Sequence, residues 1–399
     1  MIFNKYQSYK KFVACSVLLK LWVLVDAGYM EDNYPRSIIE DADLDTAQLI
    51  HKYKYPVETH YVTTEDKYIL RVHRIPKPKA PPVFLMHGLE DSSSTWILMG
   101  PQKAPGYFLS DNGYDVWLGN ARGNRYSRNH TLFDPDTDRD FWKFTWNEIG
   151  YYDLPAMIDY VLTQTGYQKT GYFGHSQGTT SFWVLCSLRP EYNEKITMMH
   201  ALAPVAYMKH VKSPLLGMAM NFVQASKEHL TDFIPRNEMF YKMCLTSKIA
   251  EDTCLDVFNK VVGKDMKQTN MTMLPAIFGH VPAGCNIKQV DHYLQLVKSN
   301  RFCKYDYGPQ ENMKHYGQTS PPEYPLKKIT VPVGLYYTRN DYLSSVVDVK
   351  RLARMLPNVV VNSLYPYRKW NHMTMLWGID ARELAHKRML EVMKNYPYE

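Results

Sequence analysis

The chain has 399 residues, 45% of them hydrophobic and 22% charged, with a formal net charge of +7. That length buries a large core and suits one large domain carrying an insertion, or two domains. The positive balance is modest and its lysines and arginines are scattered, with no run beyond pairs such as Lys327-Lys328, which argues against nucleic acid as a partner.

Lys5, Lys10 and Lys11 precede the apolar residues 12–19, then Lys20, then Leu21-Trp22-Val23-Leu24-Val25. Val25-Asp26-Ala27 has small or β-branched residues where a signal peptidase reads, so residues 1–27 are expected to be a signal peptide cleaved after Ala27. The apolar run is too short to span a bilayer and Lys20 interrupts it; no other stretch is long enough, so no transmembrane segment is expected. The secretory pathway follows, with a destination in the extracellular lumen or the lysosome.

Residues 44–51 read as an acidic surface helix. Residues 55–61 and 68–75 alternate around Thr64-Glu65-Asp66-Lys67, the pattern of a β-hairpin. Residues 82–86 form a buried strand ending at His87-Gly88-Leu89, and residues 115–119 form the next. Asp153 is expected to cap a helix through Leu162, with Pro155 tolerated in its first turn. Residues 169–173 make a strand, and the sequence from Thr179 to Leu188 has helical spacing and stops before Pro190. A strand is expected over 200–205. Strands alternating with helices mean a mostly parallel α/β sheet.

At about Tyr207 the pattern changes. Residues 208–325 are helical in period, rich in methionine and without a convincing strand; residues 329–337 return to a buried strand, and elements at 359–364 and 382–393 close the chain. The expected organisation is a core over 28–207, a helical cap and lid over 208–325, and the rest of the core over 326–399. Of the six cysteines, Cys15 leaves with the signal peptide and Cys186 reads as a buried thiol. Cys244 and Cys254 make the best disulfide pair, whereas a helix over 287–298 holds Cys285 and Cys303 apart. Asn129 and Asn270 begin glycosylation sequons. No Cys/His spacing suggests a metal site, and no cofactor is implied.

The chemistry centres on Gly174-His175-Ser176-Gln177-Gly178. A strand runs into this pentapeptide and a helix runs out of it, the context in which a serine stands on a strained elbow as a nucleophile. Such a serine needs a histidine to take its proton and an acid to orient that histidine, both later in the chain. Asp341 follows the returning strand, where α/β sheets place their catalysts. Asp348, expected as a solvated carboxylate on the following helix, is the runner-up. His372 lies in a loop before the last helix; His175, His229, His280, His292 and His315 are worse placed. The developing oxyanion needs two backbone N–H donors, expected from Gln177 and Leu89. In the insertion, Leu215, Met218, Ala219, Phe222 and Val223 share one helix face, which is expected to cover Ser176 in a closed lid and to meet lipid when open.

Several stretches resemble the acid lipases, the family that includes lysosomal acid lipase and gastric lipase. They are His87-Gly88-Leu89 with Ser92-Ser93 and Trp96, residues 119–127 (GNARGNRYS), Phe141-Trp142 through Trp146, Tyr152-Asp153-Leu154-Pro155-Ala156, residues 174–180, Asn340-Asp341 and Asn371-His372. The resemblance implies an α/β-hydrolase fold with a helical cap and lid, and hydrolysis of triacylglycerols and cholesteryl esters at an oil–water or membrane interface. It carries the nucleophile onto Ser176, the acid onto Asp341, the base onto His372 and the oxyanion donors onto Leu89 and Gln177. The lid does not match residue by residue. A carboxylesterase for small soluble esters is the rival enzyme reading, and a non-catalytic lipid-binding relative is the rival outside enzymes.

Overall fold

A computed structural model describes residues 28–235 and 238–398; the expected signal peptide lies outside them. The first hairpin forms as its alternation requires, from β1 (Glu58–Thr63) and β2 (Ile69–Ile75), with Thr63 opposite Ile69. There follow β3 (Pro82–Met86), β4 (Asp115–Gly119), β5 (Thr170–His175), β6 (Ile196–Leu202), the short β7 (Asp232–Phe233) and β8 (Cys285–Asn286), β9 (Val333–Tyr337) and β10 (Val359–Leu364). Eight of these make one sheet in the order β1-β2-β4-β3-β5-β6-β9-β10. β2 is antiparallel to β1 and β4, and every pairing from β4 to β10 is parallel. β3, β4, β5, β6 and β9 are buried along their whole length, because helices cover both faces of a parallel sheet. One face packs Trp117, Trp146 and Trp183; the other packs Trp96, Tyr107 and Trp377.

The helices used below are α1 (Thr46–Lys52), α2 (Leu154–Thr165), α3 (Gln177–Leu188), α4 (Leu216–Ser226), α5 (Glu238–Cys244), α6 (Lys248–Val262), α7 (Leu274–His280), α8 (Ile287–Ser299) and α9 (Val346–Met355). α1 begins on a reciprocal cap between Asp45 and Gln48. Asp153 does not cap α2. Its backbone is already helical, inside a π turn at Ile149–Asp153 that continues a helix capped upstream by Thr145 and Glu148. The carboxylate is instead taken by the buried Arg122, whose Nε and backbone N–H donate to it at 2.7 and 3.0 Å. A guanidinium without solvent needs that partner more than a helix end does.

Two further expectations shift. The strand expected over 200–205 runs from Ile196 to Leu202, and Ala203 at φ +48 ends it. Its first half, Ile196-Thr197-Met198-Met199, pairs with β5 and β9 although methionines give no strand signal. The insertion between β6 and β9 carries α4 to α8 but is not strandless: β7 and β8 pair through Asp232–Asn286 and Phe233–Cys285. Two-residue strands are too short to show a period. Cys244 and Cys254 are disulfide-bonded with Cα atoms 5.8 Å apart, tying α5 to α6, while Cys186, Cys285 and Cys303 are free thiols. Among the described residues no helix is long and apolar enough to cross a membrane.

Candidate active site

β5 ends at His175 and α3 begins at Gln177, so one residue makes the turn between strand and helix. That residue is Ser176, at φ +51 and ψ −115, a conformation that costs about 1–3 kcal/mol for a non-glycine residue. The flanking glycines make the turn possible. A Cβ on Gly174 would stand 2.9 Å from the Gly178 backbone, and one on Gly178 would overlap the Met86 carbonyl oxygen. The strained turn keeps Ser176 partly exposed while its neighbours in the pentapeptide are buried.

Behind β3, the loop starting at His87 comes directly against this serine. A Cβ on Gly88 would lie 3.2 Å from Ser176 Cβ. His87 fixes the peptide that follows. Its Nε2 accepts from the Ala121 N–H at 3.1 Å, so Nδ1 carries the proton and donates to the Gly88 carbonyl at 2.7 Å. The Gly88 carbonyl and the Leu89 N–H belong to one planar peptide and point in opposite directions. Holding the first therefore aims the second away from His87. Burial pushes the His87 imidazole down to about 4, which keeps it neutral in this role. Among the described residues neither the Leu89 N–H nor the Gln177 N–H donates to a protein acceptor; Gln177 is the first residue of its helix, where no intrahelical acceptor exists.

At the sheet's C-terminal edge Asp341 and His372 meet. His372 Nδ1 lies 2.8 and 3.0 Å from the two Asp341 carboxylate oxygens, and both side chains are buried. The Leu343 and Ser344 N–H groups donate to the same carboxylate at 2.9 and 2.7 Å, which fixes its orientation toward His372. With Nδ1–H donated to Asp341, Nε2 is the basic nitrogen of His372. The runner-up, Asp348, is not the solvated carboxylate expected. It is buried, receives the Ser345 hydroxyl at 3.0 Å, and holds the backbone N–H and Nδ1 of His210 at 2.8 Å each, so it anchors the stem of the cap.

His175, an inner residue of the pentapeptide, joins two parts of the site. Its Nε2–H donates to the His372 carbonyl at 2.9 Å, and burial pushes its imidazole down to about 3. Sequence reasoning missed this, as it missed His87 and Asn124. The Asn124 amide spans His87 Nε2, the Asp91 carbonyl and Asn120 Oδ1, bracing the loop that carries Leu89. The GNARGNRYS stretch was a signal for such a role, but two of the three partners, His87 and Asp91, lie more than thirty residues away.

The expected lid residues differ in exposure. Met218 and Phe222 on α4 are 64% and 46% exposed, and Leu215 is partly buried. α4 packs through Leu216, Met220 and Val223 against Ile287, Val290 and Leu294 of α8, so the expected face is split: Val223 is buried on α8 while Met218 and Phe222 point to solvent.

The sheet order, the serine elbow and the acid and histidine on late loops define an α/β-hydrolase. The description "alpha/beta hydrolase fold" matches residues 81–238, and "Partial alpha/beta-hydrolase lipase region" matches residues 46–100. Lipase 1 of Drosophila melanogaster is 46% identical, over 92% of this chain and 84% of that protein. Gastric triacylglycerol lipase of Bos taurus is 36% identical, over 88% and 92%. Among solved structures, a lipase-titled protein of Sulfolobus solfataricus aligns with a TM-score of 0.57 at 13% identity, over 86% of this chain and 94% of that one, which shows the fold alone. The chain belongs to the acid lipase family, a family of carboxylic ester hydrolases.

Proposed function

We propose that this protein is a secreted or lysosomal lipase that hydrolyses triacylglycerols and cholesteryl esters through an acyl-enzyme on Ser176. His372 takes the serine proton as Oγ attacks the ester carbonyl, and later returns it to the leaving alcohol. Asp341 keeps the imidazole in its Nδ1–H form and stabilises the imidazolium. The Leu89 and Gln177 N–H groups receive the oxyanion. The observation that carries this reading is Ser176 at positive φ between β5 and α3, with the Gly88 loop against its Cβ.

Exposed Met218 and Phe222, with Ile234 and Met239 further along the same segment, support contact between this edge of the cap and a lipid surface. Leu215, partly buried, stands at the start of α4 beside that surface. The expected signal peptide, the Cys244–Cys254 bond and the sequons at Asn129 and Asn270 suit an oxidising secretory route.

Ser176→Ala tests the chemistry. Hydrolysis of emulsified triacylglycerol and labelling by a fluorophosphonate probe should both vanish, with kcat down on the order of 10⁴-fold and the circular dichroism unchanged. A folded variant with near-normal turnover overturns the proposal. Wild-type enzyme active on dissolved short esters but not on emulsion would move the assignment to a carboxylesterase.

A further inference from the structure

The last residue of α6 is Val262, and a helix leaves its final carbonyls without partners inside the helix. Here three successive carbonyls at that end, from residues 262, 263 and 264, are all used. Val262 O accepts the backbone N–H of His372 at 3.1 Å. Gly263 O accepts Nδ2 of Asn371 at 2.7 Å, and Lys264 O accepts Nδ2 of Asn340 at 2.9 Å. The donors are the predicted base itself and the two residues immediately before the predicted base and acid.

We infer that the cap turn at residues 262–264 is the template that sets the acid and base loops against each other, with Asn340 and Asn371 as positioning residues. The inference rests on Asp341 and His372 being the acid and base proposed above. Three features make the turn a template and not a chance neighbour. Gly263 has φ +100, and a Cβ there would overlap the Asn340 carbonyl oxygen and lie 3.2 Å from Asn371 Cβ, so the two loops close on a position that only glycine fills. The Asn340 amide also donates to Lys369 O at 2.8 Å, which ties the acid loop to the base loop directly. Asn371 is buried and fully engaged. While Nδ2 holds Gly263, Oδ1 accepts from the Met373 N–H, the Thr374 N–H and the Thr374 hydroxyl at 2.8–3.0 Å, fixing the backbone on the far side of His372.

α6 gives this turn a fixed base. The Cys244–Cys254 bond ties its first half to α5, and the Ser213 hydroxyl donates to Lys260 O at 2.8 Å near its end. The insertion thus reaches the acid and base loops through backbone carbonyls.

The test measures steady-state kinetics of Asn340→Ala and Asn371→Ala on a soluble p-nitrophenyl ester, alone and on an Asp341→Asn background, with thermal melts for each. Each single variant should lose kcat on the order of 10- to 100-fold, since displacing a catalytic group by about an ångström costs that much, while KM stays within about twofold. On the Asp341→Asn background the same substitutions should cost less than about threefold, because the geometry they protect is already lost. Asn340 is only partly buried, so its variant decides the matter if Asn371→Ala fails to fold. Folded variants with wild-type kcat, or losses that simply add to that of Asp341→Asn, overturn the inference. Asp341→Asn at the wild-type rate would instead overturn the acid assignment beneath it.

Discussion

Helices α3 and α4 have twelve and eleven residues and similarly apolar sequences, QGTTSFWVLCSL and LGMAMNFVQAS, yet they lead opposite lives. α3 is buried from Gln177 through Ser187; α4 buries Val223 alone. α3 is held by the sheet on one side and by the π turn and α2 on the other, so its N-terminus, and with it Ser176, has no freedom to drift. α4 is pinned by three side chains against α8 and shows its other apolar residues to water. Apolar composition says that a surface will be covered; it does not say by what. For α3 the cover is the protein's own core, and for α4 the proposed cover is lipid.

The two glycines near these helix starts expose the contrast most sharply. Gly178→Ala should abolish soluble expression or activity, because the new methyl falls on the Met86 carbonyl; a soluble variant should lose at least about 100-fold in kcat through displacement of the elbow. Wild-type kcat and melting temperature in that variant would show that the elbow yields. Acid should act on the same side of the comparison. Burial pushes His87 and His386 down to about 4, and His73, His175, His200 and His292 to about 3, whereas His229 beyond α4 is exposed. Between pH 6.5 and 4 the unfolded chain protonates these histidines and the folded one does not, so stability falls as pH falls, by up to ~1.4 kcal/mol per unit for each. Asp91 and Asp153, raised to about 7 and 6, and Glu90, Asp232 and Asp265, which burial also raises, oppose this because the folded state keeps protons there that the unfolded chain releases. The six histidines outnumber these five carboxyls, so the urea midpoint should be lower at pH 5 than at pH 7.5; an equal or higher midpoint would mean that the carboxyls dominate.

On the α4 side the effects should be selective and smaller. Leu215→Asp with Phe222→Asp should cut activity on emulsion about tenfold, the scale set by losing roughly 1.4 kcal/mol of apolar contact, and leave a short soluble ester untouched. Equal loss on both substrates would refute a role at the lipid surface. Gly217→Ala should raise stability by about 0.5–1 kcal/mol, since its Cβ meets nothing within 4 Å and the helix gains from the substitution. A destabilised variant would mean that α4 packs on something more than α8.

Legibility followed the same divide. The elbow, the strands around it and the order of Ser176, Asp341 and His372 are local patterns: two glycines at fixed spacing, a buried apolar run, a strand followed by an acid. The residues that aim these groups stood in recognisable stretches, but what they hold was not legible. Asn340 and Asn371 donate to backbone carbonyls brought close only by folding, where any residue type serves as acceptor, while His87 and Asn124 brace one another across 37 residues. The stripe on α4 was legible only as a pattern. Of the expected residues 215, 218, 219, 222 and 223, Val223 packs on α8 beside residues 216 and 220, and only the position of α8 decides which part of the helix is covered. Asp348 was read as solvated because nothing in the sequence around it announces His210, which lies 138 residues earlier.

The carbonyls at the end of α6 have a consequence for how this protein fails. Parts of a folded protein open locally before the whole chain unfolds, and the turn at residues 262–264 is the joint between the insertion and the two loops. If α6 frays from its C-terminal end, the loops bearing Asp341 and His372 lose their support while the sheet, α3 and the bulk of the secondary structure persist. On warming or in mild denaturant, that opening would disable the proposed acid and base in a still-folded protein, and cooling or dilution would restore them without a refolding step.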